Sequence, residues 1–348
     1  MILSREITNR IKGIAIILMI MTHLFGLFTI NSSYFAISLF NTDKTLEEVI
    51  GKTADICVYL FAFISGYGLC HSYSNKKPKE LFFTTLNKLI RFLLCYWLVI
   101  LVIFLPFYVV NQGSNFQFIE LVKTLFGHHG FFSYGWYVYF YITLLITLPF
   151  VGKLLDKNKW LSLVISYIPL FVLYFVFNRL QDKVPYYDNL CVLIFAYMTS
   201  LVGYAFAKHN FFDLIYNIFK GKRWLILLVS GVVGISLQIF IFGYYGKGFI
   251  QPISVVFIMT FLIELLSFNV PKVITFPLDI LGKNSMNMWY THYIFFAPYI
   301  TCYIYSDQWI LFSKVAIAGL IIAVVISLIV SLPFTYIDNK LIKQISFK

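Results

Sequence analysis

The chain alternates long apolar runs with short polar breaks, and the breaks are mostly basic. Ten runs stand out, over about 12–31, 53–74, 87–110, 133–152, 159–177, 188–208, 224–244, 250–269, 284–304 and 309–336. Several reach the roughly 20 apolar residues that carry a helix across a bilayer's hydrocarbon core. In lipid every backbone group must be satisfied within a helix or a closed barrel. A barrel would show alternating strands of about ten residues, whereas these runs are continuous. The pattern predicts an all-α polytopic membrane protein with about ten transmembrane helices.

An even number of spans puts both termini on one side. The breaks that fall on that side carry Lys76, Lys77 and Lys79, then Lys153, Lys157 and Lys159, then Lys208, Lys220, Lys222 and Arg223. Most of the Lys and Arg lie there, so the positive-inside rule predicts that both termini are cytoplasmic. Residues 337–348 then form a short basic cytoplasmic tail, with Lys340, Lys343 and Lys348. The longest loops, 32–52 and 111–132, are expected outside. Segment 209–223 mixes aromatics with bases, as a short helix lying along the inner interface would. Trp97, Trp136, Trp160, Trp224 and Trp309 fall near span ends, as in an aromatic belt. No internal repeat is evident, and residues 1–348 read as a single integral-membrane domain.

Composition agrees with this picture. Of 348 residues, 60% are hydrophobic and 12% charged, with a mean hydropathy of +0.82. A soluble domain of this length could not hide so much apolar surface. The net charge of +12 is explained by basic cytoplasmic loops, so no nucleic-acid partner is expected. Five cysteines, at 57, 70, 95, 191 and 302, show no CxxC pair and no ligand spacing. His128 and His129 lack carboxylate or cysteine partners at ligand spacing, so no metal site is expected. The first apolar run is long enough to span and shows no small-residue cleavage site.

Candidate chemistry lies in the polar residues that a membrane segment should exclude, because an ionisable group there costs about 2.5–3.5 kcal/mol by insertion scales. In KGIAIILMIMTH, Lys12 and His23 are separated by ten residues, none of them ionisable. On a helix that is about 16 Å of rise and three turns with a small remainder, so both project from nearly one face. A helix-packing role for His23 accounts for this spacing equally well. Lys88 and Arg91, three apart at the start of the third span, share a face. They suit either snorkelling anchorage or a clamp for a polyanion entering from the cytoplasm. The ninth span with its approach, LGKNSMNMWYTHYIFF, carries Ser285, Asn287, Tyr290 and His292, as a cavity-lining helix would. In the second span, Asp55 stands near the outer end, and Ser65-Gly66 with Gly68 permits close backbone approach, to a neighbouring helix before a ligand.

Taken in order, these elements resemble the acyltransferase-3 family of membrane-bound acyltransferases. A basic residue, ten residues, then histidine is matched by Lys12 and His23. The second-helix FF-x-x-SG-F-like element is similar to FAFISGY, 61–67. The R-x-x-R pair is matched by Lys88 and Arg91, with lysine in first place. The W-Y/F element resembles Gly135-Trp136-Tyr137, and the late G-x-x-S-x-x-x-Y-x-x-H element resembles Gly282 to His292 with drifted spacing.

The resemblance implies O-acyl transfer, usually acetyl, from acetyl-CoA or another acyl-CoA as co-substrate, with no tightly bound cofactor. The acceptor is a hydroxyl of an extracytoplasmic or lipid-linked carbohydrate (a polysaccharide or glycolipid of the cell envelope), and the place is the bacterial cytoplasmic membrane. It casts His23 and His292 as catalytic and Lys12, Lys88 and Arg91 as binding CoA phosphates. Asp55, Ser65, Trp136, Tyr137, Ser285 and Tyr290 become acceptor-binding or cavity-lining residues. His23 would act as general base or hold the acyl group transiently. Tyr290 or His292 would donate to the oxyanion. Besides the lipid bilayer, a second copy of the chain is left open as a partner. The competing reading is a polysaccharide or small-molecule transporter or flippase that consumes no acyl-CoA.

Overall fold

A computed structural model describes residues 3–27, 45–128, 130–132, 135–179, 187–240, 248–295, 300, 316–345 and 347. The helices are α1 Arg5–Met21, α2 Leu46–Thr53, α3 Ile56–Tyr73, α4 Pro78–Val99, α5 Leu105–Gln112, α6 Phe118–Leu125, α7 Trp136–Leu155 and α8 Lys159–Arg179. They continue with α9 Tyr187–His209, α10 Phe211–Ile218, α11 Arg223–Phe240, α12 Gln251–Leu266, α13 Lys272–Thr291 and α14 Ala316–Lys340. Among the described residues there is no strand, and nine helical segments are long and apolar enough to cross a membrane. The protein is an all-α polytopic membrane protein.

The chain divides into two compact units, 1–28 with 48–75 and 147–283, and 29–47 with 76–146 and 284–348. In the first unit, α3 and α9 pack backbone to backbone. Gly66 lies under the Ser200 carbonyl and Gly203 under the Phe63 carbonyl. The Ser200 hydroxyl donates to the Ala62 carbonyl at 2.9 Å. Without a hydrophobic force between helices in lipid, small residues that admit close contact take over. The same device joins α11 to α12, where Gly231 and Gly234 face Phe261 and Ile258. There the Gln238 amide donates to Gln251 Oε1 at 2.7 Å and to Ser254 Oγ at 2.8 Å.

In the second unit α4 runs through a π-helical turn, Ile100–Phe104, into α5. Pro106 has no N–H to give the preceding turn, and the wider turn absorbs the mismatch. The Tyr96 hydroxyl donates to the Thr124 carbonyl at 2.7 Å and Trp97 Nε1 to the Leu125 carbonyl at 2.8 Å, tying α6 to α4.

Several boundaries differ from expectation. The expected loop 111–132 contains α6, and part of 32–52 is α2. The ninth span was expected over 284–304, but its helix begins at Lys272 and ends at Thr291 in a 3₁₀ turn, His292–Phe295. Residues 272–283 include Lys272, Asp279 and Lys283 and so read as a loop, yet they are helical, and Arg10 of α1 pairs with Asp279 there. Residues 296–299 and 301–304 of that span lie outside the described residues. The last helix runs on to Lys340, and Ile342–Gln344 forms a 3₁₀ turn, so the expected tail is structured through that point. In 209–223, α10 forms, with Phe211 and Phe212 buried and Asp213 and Asn217 exposed.

Candidate active site

Helix α1 begins where Ser4 caps it: the Ser4 hydroxyl accepts the Ile7 N–H at 3.2 Å. It then crosses the first part of α13 at closest range, with Gly13 against the Leu278 carbonyl and Gly282 against the Asn9 carbonyl. A methyl at either position would collide with backbone. Around this crossing Asn9 Nδ2 donates to the Asp279 carbonyl at 2.9 Å, and Arg10 pairs with the Asp279 carboxylate at 3.3 and 3.4 Å. Gly282, which opens the late polar element, therefore fixes α13 on α1.

From Lys12 to Met21 the helix is regular, and at Thr22, before His23, it loosens into a π-helical turn, Thr22–Leu27. His23 lies inside that turn and is 8% exposed. Single π turns in α-helices concentrate at functional positions, because they re-aim one side chain without ending the helix. Two contacts hold the turn. Gly26 lies backbone to backbone on Gly51 of α2, and the Thr22 hydroxyl donates to the Leu18 carbonyl at 3.1 Å. Asp55, at the start of α3, acts electrostatically on Cys57 and Tyr59. The first unit thus brings the elements of His23 and Asp55 to one place. Ser65 is half-buried on α3; its neighbour Gly66 is used for packing, whereas Gly68 meets open space.

The second unit holds the remaining candidates. Tyr290 is completely buried, with the Tyr96 and Phe92 rings at 5.5 and 6.0 Å. Its hydroxyl finds no hydrogen-bond partner among the described residues. One turn earlier Asn287 donates to the Thr335 hydroxyl at 3.0 Å, while its own Oδ1 is buried with no partner among the described residues. Buried polar atoms are nearly always paired, so two such atoms on one helix stand out. Ser285 is buried beside them.

His292 is 1% exposed, and its Nδ1 lies 2.6 Å from the Trp289 carbonyl. A carbonyl only accepts, so in the neutral ring Nδ1 carries the proton and Nε2 the lone pair. Such a ring accepts a proton and does not donate one from Nε2.

Tyr137 packs on Trp289 at 4.8 Å and is buried, while Trp136 beside it is half-buried. Their element is set by a turn in which Gly127, at φ +74°, lies against Gly135. Only glycine adopts that φ without strain while letting a second backbone so close.

Lys88 is half-buried, with the charges of Lys76 and Arg91 both acting on it. Arg91 donates from Nε and Nη2 to the Ile345 carbonyl at 3.0 and 2.8 Å. Sequence reasoning missed Asn87, Ile345 and Phe347 as neighbours of this set. The periodicity of α4 already places Asn87 one turn before Arg91.

Lys12, His23, Asp55 and Ser65 belong to the first unit, and Lys88, Arg91, Trp136, Tyr137, Ser285, Tyr290 and His292 to the second. No curated protein and no solved structure matches the chain. Residues 8–336, nearly its whole length, match the acyltransferase domain of the acyltransferase-3 family. The chain belongs to that family, and it is a membrane acyltransferase.

Proposed function

We propose that the protein moves an acyl group, acetyl in the simplest case, from acyl-CoA at the cytoplasmic face to a hydroxyl of an extracytoplasmic or lipid-linked carbohydrate. The observation that carries this reading is a buried histidine set in a π-helical turn, on the same helix as Lys12. Each residue's role follows from its own surroundings. As general base, His23 takes the proton of the acceptor hydroxyl while that oxygen attacks the thioester carbon. The C–S bond then breaks, and the CoA sulfur leaves with the proton. In the covalent route the ring nitrogen attacks first and holds the acyl group until the acceptor oxygen displaces it.

The tetrahedral oxygen needs a donor. Tyr290 suits that role better than His292. Its hydroxyl is buried with no acceptor among the described residues, whereas the His292 ring already directs its Nδ1 at a carbonyl. Lys12, Lys88 and Arg91 answer the CoA phosphates. Lysine at 88 supplies charge without the two-pronged geometry of arginine. Asp55, Trp136 and Tyr137 offer a carboxylate and rings of the kind that bind sugars.

Isothermal titration of the purified protein with acetyl-CoA tests the donor. Binding that weakens at least tenfold in Lys88→Ala/Arg91→Ala is expected. Absence of binding to the unchanged protein would leave the acyl-CoA reading without support.

A further inference from the structure

Ile345 and Phe347 are fastened to α4 by specific bonds. Asn87 holds the backbone of Phe347 from both sides: its Oδ1 accepts the Phe347 N–H at 2.7 Å and its Nδ2 donates to the Phe347 carbonyl at 3.0 Å. One turn on, Arg91 grips the Ile345 carbonyl with two nitrogens. Residues four apart on a helix share a face, so the tail lies along one side of α4. Phe347, 43% exposed, is held there as a wall.

What it walls is a cavity of about 490 Å³, lined by Lys76, Lys79, Phe83, Thr84, Asn87 and Phe347, together with Glu80. That volume is within the range of roughly 300–1,000 Å³ usual for small-molecule sites. Its chemistry is mixed in a particular way. Lys76 and Lys79 line it, and the charges of Lys76 and Arg91 both reach Lys88 on the same helix. The lining carboxylate, Glu80, accepts the Lys77 N–H at 3.3 Å and so serves as a helix cap. Lys76 is steered by a bond from Nζ to the Thr84 hydroxyl at 2.6 Å. Two phenyl rings, Phe83 and Phe347, complete the lining.

Like charges gathered at one place raise one another's energy, and an anion there relieves it. Phosphate alone would answer the lysines and leave the rings without a purpose. A phosphorylated nucleoside answers both, because its base has a π face for the rings and its phosphates meet the cations.

We propose that this cavity holds the nucleotide end of the acyl-CoA donor, so that the C-terminal tail is a wall of the donor site. The proposal rests on the acyl-CoA reading above and adds to it a place, Lys79 and Phe347. It also gives Asn87 a positioning role, since Asn87 holds the backbone of Phe347 from both sides.

The test uses the full chain in lipid nanodiscs, with Phe347→Ala, Lys79→Gln and a stop after Gln344 as variants. Acetyl-CoA and acetyl-phosphopantetheine, which lacks the nucleoside, are titrated into each. Stacking of one base on one aromatic ring is worth about 1–3 kcal/mol by alanine substitution. Phe347→Ala is therefore expected to weaken acetyl-CoA about 5- to 150-fold and to leave acetyl-phosphopantetheine unchanged. Lys79→Gln should weaken acetyl-CoA several-fold, and adenosine 3′,5′-bisphosphate should displace it from the unchanged protein. The nucleotide site is overturned if all variants bind acetyl-CoA as the unchanged chain does. It is also overturned if both ligands weaken together, or if anionic phosphatidylglycerol rather than the bisphosphate displaces acetyl-CoA. If the unchanged chain binds no acetyl-CoA at all, the acyl-CoA reading itself fails, and this site with it.

Discussion

His23 and His292 each stand just past the end of a regular α-helix, and the two helices end in opposite ways. After Met21 the backbone loosens into a π turn; after Thr291 it tightens into a 3₁₀ turn. Both rings are buried. Within the π turn Gly26 lies on Gly51 and the Thr22 hydroxyl donates to the Leu18 carbonyl. His292 is instead part of the bonding of its own helix end, through Nδ1 and the Trp289 carbonyl. Burial therefore does not tell the two apart. The difference is in the backbone, π-helical at His23 and 3₁₀ at His292.

That contrast predicts different costs for the two histidines. His23→Ala is expected to lower acyl transfer by about 10³-fold per folded molecule, in the range of general acid–base catalysis. Equal transfer by His23→Ala and the parent would remove His23 from the chemistry. Tyr290→Phe is expected to cost about 10²-fold in kcat, as loss of one oxyanion donor does. It should not lower the melting temperature, since removing a buried hydroxyl without a partner relieves a desolvation cost. A lowered melting point with unchanged kcat would make Tyr290 a packing residue. His292→Ala should behave in the opposite sense. It strands the Trp289 carbonyl and should destabilise by about 1–3 kcal/mol, with activity per folded molecule reduced less than in His23→Ala.

The smallest effect on chemistry is expected at the α1–α13 crossing. Gly282→Ala places a methyl on the Asn9 carbonyl and should destabilise by about 1–3 kcal/mol, as overpacking does. Thermal unfolding in detergent measures it, and kcat of the folded fraction should stay the same. Gly68→Ala, which meets open space, is the matched control and should leave unfolding unchanged.

Much of the fold was legible in the sequence, because apolar runs long enough to span report themselves directly. The first helix was legible for the same reason, and α1 is regular from Arg5 to Met21. The π turn was not, because a change of pitch over six residues leaves no mark on hydrophobic periodicity. The start of α13 was missed because its charges read as a loop, and their partners, Asn9 and Arg10, lie at the other end of the chain. Asn87 and Phe347 escaped for the same cause. Their pairing joins positions 260 apart, and neither residue type signals it alone.

The central claim is that His23 carries acyl transfer from a CoA thioester. Its most direct test uses membranes from a strain lacking the chromosomal copy, complemented with the parent or with His23→Ala at equal protein level and supplied with acetyl-CoA labelled in the acetyl group. The account predicts label in the carbohydrate fraction with the parent and a loss of about 10³-fold with His23→Ala. Equal labelling by the two proteins would contradict it.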